Sequence, residues 1–282
     1  MALDAATELV NIIPEVWDPM YMKMRYHYGI IAPRCLNKDS VIAKYGDKVN
    51  MGVMSSMTVG DVTATSGAMS DTDFTVGAAS ITIDKWKYLK ASFVDAAKIE
   101  TIGDIVAPTV SQMIEQLLRE QDNQLASLVT SGITSNSIGG PTESVSEERV
   151  LEAITEVVAD NELELTRELQ NLTFFLYTSL FKDLKQVEGW NYAAYSGESV
   201  GGMLKPTIPN MYGIPTYLTN LVPSSLGRRN WLQHREALGI ANVAKPNIVP
   251  LAKTQLSTDI AAHAIFGVGV LREGFACQMI TA

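Results

Sequence analysis

The residues closest to a catalytic pattern are Gly197-Glu198-Ser199-Val200-Gly201, a GxSxG spacing. In a serine hydrolase that spacing sets the nucleophile on a strained turn between a buried strand and a helix. Here WNYAAYS precedes it and GGMLKPTIP follows, and neither has the character of the flanking element. Asp259 and His263 come later in the order a triad would need, but only four residues separate them, within one strand or its entry. The three histidines, His27, His234 and His263, stand alone, without HxH or HExxH spacing for a metal. His234, beside Arg235 and Glu236, reads as a helix-surface residue. Asp71 and Asp73 make a DxD in a polar stretch that lacks the rest of a calcium loop. Gly139-Gly140 lacks the GK[ST] ending of a phosphate loop. The 12 methionines, clustered at Met20, Met22, Met24 and at Met51, Met54, Met57, read as adaptable packing. The reading is of a chain with no enzymatic site, no cofactor and no metal.

Composition narrows the remaining classes. At 282 residues the chain is long enough for a sizeable core, and 46% hydrophobic with 19% charged residues suits a folded protein. A net charge of −9, with no basic run longer than Arg228-Arg229, opposes sequence-wide binding to nucleic acid, which needs a basic face to neutralise phosphates. Cys35 and Cys277 lie far apart without a CxxC partner. Their spacing leaves a disulfide open, while two scattered cysteines in a Met-rich chain read as reduced cytosolic thiols. MALDAATELV has no basic region ahead of an apolar run, so no secretory signal is expected, and no apolar stretch approaches the ~20 residues of a membrane span.

The elements that would have to position any site are more informative than the site candidates. Residues 8–31 carry Ile12, Ile13, Val16, Trp17, Met20, Met24 and Tyr28 at mostly helical spacing, broken by Pro14 and Pro19. The prolines forbid one continuous helix, leaving an apolar arm in need of a partner surface. Residues 40–54 alternate like a strand with a turn at Tyr45-Gly46-Asp47, and 55–79, poor in large apolar residues, should protrude as a flap. Along 81–94 the apolar parity switches at Trp86 and again at Leu89. One long strand with bulges, leaving the flap and entering a packed sheet there, accounts for the switches.

A helix follows over 108–130, with Pro108 at its first position and Gly132 as a left-handed cap. Its stripe is Val110, Met113, Ile114, Leu117, Leu118, Leu125, Leu128 and Val129, interrupted by Gln121 and Asp122. A second helix starts from Ser146 as cap, burying Val150, Leu151, Ile154, Val157 and Val158, with Glu147, Glu148, Glu152 and Glu156 solvated. LTFFLYT (172–178) is a buried strand, 179–189 a short helix and 190–204 a loop; 214–220, 231–243, 260–271 and 275–281 complete the pattern. Helices and strands alternate irregularly, which gives an α+β class.

In this order the parts resemble the major capsid proteins of tailed bacteriophages (the Hong Kong ninety-seven-type fold). NIIPEVWDPMYMKMRYHYGI resembles the N-terminal arm, and residues 45–97 the extended loop with its returning strand. DIVAPTVSQMIEQLLREQDNQLASL resembles the long backbone helix, in which family members often carry an Asp near Asp122. MLKPTIPNMYGIPTYLTNLVP, then HREALGIA and HAIFGVGVLREGF, resemble the apical strands and the final strands. The resemblance implies an arm over 1–33, extended loop and peripheral-domain strands over 34–95, the backbone helix over 96–131, an apical domain over 132–252, and C-terminal strands returning to the peripheral domain over 253–282.

It further implies a structural subunit that self-assembles as hexamers and pentamers into an icosahedral head, maturing from a procapsid in the host cytoplasm and ending in the virion. That head encloses double-stranded DNA without sequence-specific contacts. Trp17, Tyr21, Tyr26, Met57, Asp71, Asp73, Lys85, Arg228 and Arg229 are the expected intersubunit contacts. Some members cross-link a flap Lys to a neighbour's Asn; Lys85, Lys87 and Lys90 lie on the returning strand, but no catalytic Glu aligns, so no cross-link is carried over. The chain starts almost directly with its arm, so a separate scaffolding protein is expected, beside a portal and cement proteins. An encapsulin-like cellular compartment shares the fold and is the nearest alternative; a serine hydrolase using Ser199 is the alternative from another class.

Overall fold

The longest apolar stripe in the sequence becomes the longest element. The computed structural model describes residues 29–39, 44–54, 76–94, 106–159, 163, 165–186, 210–224, 227–251 and 257–282. Helix α1 spans Val106–Gly132, 27 residues and about 40 Å at 1.5 Å per residue. Pro108 is its third residue, still among the leading N–H positions that have no intrahelical acceptor to lose. Gly132 is not in the left-handed region. Its missing side chain serves packing instead: a Cβ there would lie 2.5 Å from Val270 Cγ2.

Three sheets assemble around α1. Strands β1 (Leu36–Asn37), β2 (Lys48–Met54), β3 (Val76–Thr82) and β4 (Lys85–Val94) precede it. After it come β5 (Ser137–Gly139), α2 (Glu147–Ala159), α3 (Leu165–Glu168), β6 (Leu172–Tyr177), α4 (Phe181–Gln186) and β7 (Thr216–Thr219). The last four strands are β8 (Arg228–His234), β9 (Leu238–Pro250), β10 (Ser257–Val270) and β11 (Ala276–Thr281). A four-stranded sheet has the order β1-β9-β10-β4, a five-stranded sheet β5-β11-β8-β6-β7, and β2-β3 form a separate ribbon. The class is α+β, as the irregular alternation predicts.

The two larger sheets share α1. Its first half lays Met113 and Leu117 on Ala262, Ala264 and Phe266 of β10. Its second half lays Leu125, Ala126 and Val129 on Phe175 and Trp231 of the five-stranded sheet. The opposite face of that sheet meets Val150, Ile154 and Val157 of α2. Covered on both sides, β6 is apolar at nearly every position instead of alternating. Each large side chain buried this way contributes roughly 2–3 kcal/mol. Ser146 Oγ accepts the Arg149 N–H at 3.4 Å and caps α2, but Leu151 is 44% exposed and does not belong to the buried face.

Besides its passage through α1, the chain crosses between the sheets at two turns, 235–237 and 271–275, and these are fastened together by the Leu271 N–H donating to the Ala237 carbonyl at 2.8 Å. Residues 231–243 are therefore two strands and a tight turn, and His234 ends β8 instead of lying on a helix. The sheets divide the chain at these turns and not near residue 252. β9 joins β10 and β4, whereas β11 returns to the five-stranded sheet.

Residues 81–94 also depart from expectation. They form two strands, β3 and β4, separated by Ile83 and Asp84. The register of β4 with β10 runs without a shift from Lys85↔Phe266 to Val94↔Ser257. No bulge sits at Trp86 or Leu89. Within β4 the side chains simply alternate, Leu89 and Ala91 toward α1 and Trp86 and Tyr88 away from it, while Ile81 and Ile83 pack on the sheet's other side. The irregularities in this sheet lie in β9, around Lys245 and Pro246, where proline has no N–H to give to the ladder, and again at Val243.

Candidate functional site

Ser199 with its GxSxG, His27, Trp17, Tyr21, Tyr26, Met57, Asp71 and Asp73 lie outside the described residues. Lys85 opens β4, and its Nζ is 3.0 Å from Asp84 Oδ2. Arg228 and Arg229 open β8 in the other sheet, so the structure does not gather these three into one cluster. The Arg228 guanidinium lies 3.9 Å over the Tyr177 ring, and Arg229 Nη1 donates to Gln278 Oε1 at 2.7 Å. Both arginines are engaged within the chain. Asp259 and His263 lie on β10; Asp259 is buried and pairs with Lys90 Nζ at 2.8 Å. His234 is buried, edge-on to Phe275, with its Nε2 3.2 Å from Glu168 Oε2.

The two cysteines are free and buried in different clusters, Cys35 beside α1 and Cys277 beneath α2. Burial pushes both thiols up to about 12, which keeps them protonated and unreactive at neutral pH. Among the described residues no group of three or more His, Cys, Asp or Glu could hold a metal ion. No described helix is long and apolar enough to cross a membrane.

The polar residues that matter are those the apolar stripe of α1 appeared to lose. Gln121 and Asp122 are buried. Gln121 Nε2 donates to Asn242 Oδ1 of β9 at 2.9 Å. Asp122 receives three backbone N–H groups, from Ile30 at 2.5 Å, Ile31 at 3.2 Å and Ala32 at 2.9 Å. One carboxylate thus fixes the point where residues 1–28 join the body. Burial raises its carboxyl above the usual carboxylate range, with the three N–H donors pulling against it.

A second anchor closes the other end of α1. Gln278, buried in β11, donates through Nε2 to the Val129 carbonyl at 2.5 Å and to the Ile133 carbonyl, taking acceptors that a helix end leaves unmet. Arg229 completes the amide through its oxygen, and its charge is favourable beside a helix C-terminus. Just beyond, Glu273 Oε1 accepts the N–H groups of Ser135 at 2.8 Å and Thr134 at 2.6 Å, which hold its carboxyl down at about 2. From sequence, Gln121 and Asp122 read only as an interruption of the stripe, Asp122 being also a resemblance to the family's helix, and Glu273 and Gln278 carried no reading. The available signals were a polar pair inside an apolar helical stripe and a Gln inside the apolar strand FACQMIT.

The root of the β2-β3 ribbon rests on the four-stranded sheet, on the side away from α1. Val49, Ile81 and Ile83 pack there against Ala241 and Ile265. Gly267 permits the crossing, since a Cβ on it would run into the Thr82 carbonyl oxygen. Next to this root, the same side of β4 presents Trp86, 60% exposed, and Tyr88, 73% exposed. Tyr45, 54% exposed, packs on Trp86 with ring centroids 6.0 Å apart. Exposed aromatics of this size are enriched in the centres of protein interfaces.

No protein-family model and no curated protein matches this sequence. Solved structures do match over nearly the whole chain. A chain of Mycobacterium phage Che8 has 17% identity and a TM-score of 0.77, covering 95% of this chain and 97% of that one. A chain in the capsid structure of the cyanophage P-SCSP1u has 13% identity and a TM-score of 0.74, covering 96% and 94%. A chain of the mature capsid of bacteriophage PhiM1 has 12% identity and a TM-score of 0.69, covering 95% and 91%. This chain has the tailed-phage major capsid fold.

Proposed function

We propose that this chain is a major capsid protein, a structural subunit that closes with many copies of itself into the icosahedral head of a tailed phage. The observation that carries the reading is the likeness to capsid chains along nearly their entire length. The site geometry supports it. Its most elaborate polar contacts among the described residues, at Asp122 and Gln278, fasten residues 30–32 and the end of a spanning helix to the body.

The subunits pack as hexamers and pentamers around double-stranded DNA, with residues 55–75 lying across a neighbour. The net charge of −9 favours a wall that holds DNA without binding it tightly, which packaging and release both need. A separate scaffolding protein directs closure, a portal occupies one vertex, and cement proteins reinforce the exterior. Producing the chain with and without the proteins encoded beside it, followed by gradient sedimentation and negative-stain microscopy, tests this. Uniform closed shells are expected with the scaffolding partner; a stable monomer under every condition contradicts the reading.

A further inference from the structure

We propose that His234 is a proton-operated latch at the joint between the two larger sheets: its uncharged ring holds the 235–237 crossing closed, and a second proton on the ring releases it. The device belongs to the single subunit and works whether or not shells form.

Three turns meet at this ring. His234 closes β8 and is 5% exposed. Glu168 ends α3, and Asn171 stands just before β6. Asn171 Nδ2 donates to Glu168 Oε2 at 2.6 Å, and the Asn171 carbonyl accepts the Arg235 N–H at 2.9 Å. The Ala237 N–H donates to the His234 carbonyl at 2.9 Å, while the Ala237 carbonyl accepts the N–H groups of Leu271 at 2.8 Å and Arg272 at 3.3 Å. Phe275, from the 271–275 crossing, stands nearly perpendicular to the His234 ring with centroids 5.3 Å apart. A change at His234 therefore reaches both crossings.

The two ring nitrogens have different tasks. A backbone N–H can only donate, so Nδ1, 3.2 Å from the Glu236 N–H, is the acceptor. The single proton of the neutral ring then stands on Nε2, 3.2 Å from Glu168 Oε2. A second proton has only Nδ1 to occupy, where it faces the Glu236 N–H, so the bond is lost and that N–H is left without its acceptor. The charged groups around the ring act in both directions. Glu168 favours the charged ring, and its donors, Asn171 first and then His234, hold its carboxyl below the usual carboxylate range, so it stays ionised while a histidine charges. Arg167 on α3, Arg235 in the first crossing and Arg272 in the second oppose the charge, and Arg272 Nη1 lies 3.4 Å from Glu236 Oε2. Protonation thus tightens the Glu168 pair and frees the Glu236 N–H, moving the ring's hold from the crossing to α3.

The test is hydrogen–deuterium exchange of the full chain at about pH 8 and about pH 5, the span across which an ordinary histidine gains its charge. Protection is read peptide by peptide, after correction for the intrinsic pH dependence of exchange. At the lower pH, peptides covering 235–237 and 271–275 are expected to lose at least about tenfold in protection, while the middle of α1 keeps its own. His234→Asn sets an amide oxygen near the Nδ1 position and cannot charge, so its two profiles should coincide. Unchanged protection in the parent, an equal loss in His234→Asn, or a loss spread over α1 overturns the proposal. Nitrogen-15 spectra of the histidine rings, assigned with His27→Gln and His263→Gln, give a second reading with position 234 intact. At about pH 8 they should show a bare Nδ1 and a protonated Nε2 on His234, and the opposite tautomer overturns the proposal as well.

Discussion

Asp122 is where one side chain does the most for this architecture. Its carboxylate meets the N–H groups of Ile30, Ile31 and Ala32, of which the Ile31 bond is fully buried. Asp122→Ala should therefore cost about 2–4 kcal/mol in urea unfolding, because buried donors are left unmet. Asp122→Asn, which turns an NH2 toward the same donors, should recover little of it. The two notable carboxyls depend on pH in opposite senses. Glu273 is held down at about 2 against an ordinary 4.5, so its contribution is full above about 4.5 and is lost as pH falls toward 2. Glu273→Gln should flatten the fall in melting temperature across that window. Asp122 is raised, so its linkage contribution is greatest below the ordinary carboxylate pKa and declines as pH rises through its folded value. A Glu273→Gln acid profile as steep as the parent's would refute the first assignment.

Among the elements, the ribbon root depends on backbone meeting backbone. Gly267→Val would push into the Thr82 carbonyl, which cannot step aside as a side chain could, and should destabilise by about 2 kcal/mol or more. Hydrogen exchange at 76–82 should rise with it. Gly77→Ala, where the nearest atom is the Val53 carbonyl oxygen at 3.6 Å, should leave exchange unchanged and serves as the control. Helix α1, strand β6 and the α+β class were legible because period and burial agree along them. Elsewhere periodicity misleads for identifiable reasons. Trp86 and Tyr88 suggest a parity switch only if aromatics are assumed to face inward. His234-Arg235-Glu236 looks helical because a tight turn between two sheets has no apolar period of its own. Gln121 and Asp122 look like a break in the stripe because sequence alone does not show the partners that bury them.

On the scale of the whole molecule, the parts that would be liabilities in a solitary protein share one explanation. Residues 30–32 are held to the body by a single carboxylate, the β2-β3 ribbon packs its root on the four-stranded sheet, and an aromatic strand face stands exposed. Helix α1 ties both sheets together, so contacts made at the ribbon, the arm and the five-stranded sheet act on one body. The order of these parts was readable in the sequence, whereas the points at which the sheets exchange strands were not, because that division follows two turns with no compositional signature. The most direct test of a shell subunit is an electron cryo-microscopy reconstruction of the purified assembled protein. The account predicts closed icosahedral particles in which this fold repeats in sixes and fives, with residues 55–75 of each copy over a neighbour. Rings, filaments or monomers as the only species, also when the chain is produced with the proteins encoded beside it, would contradict it.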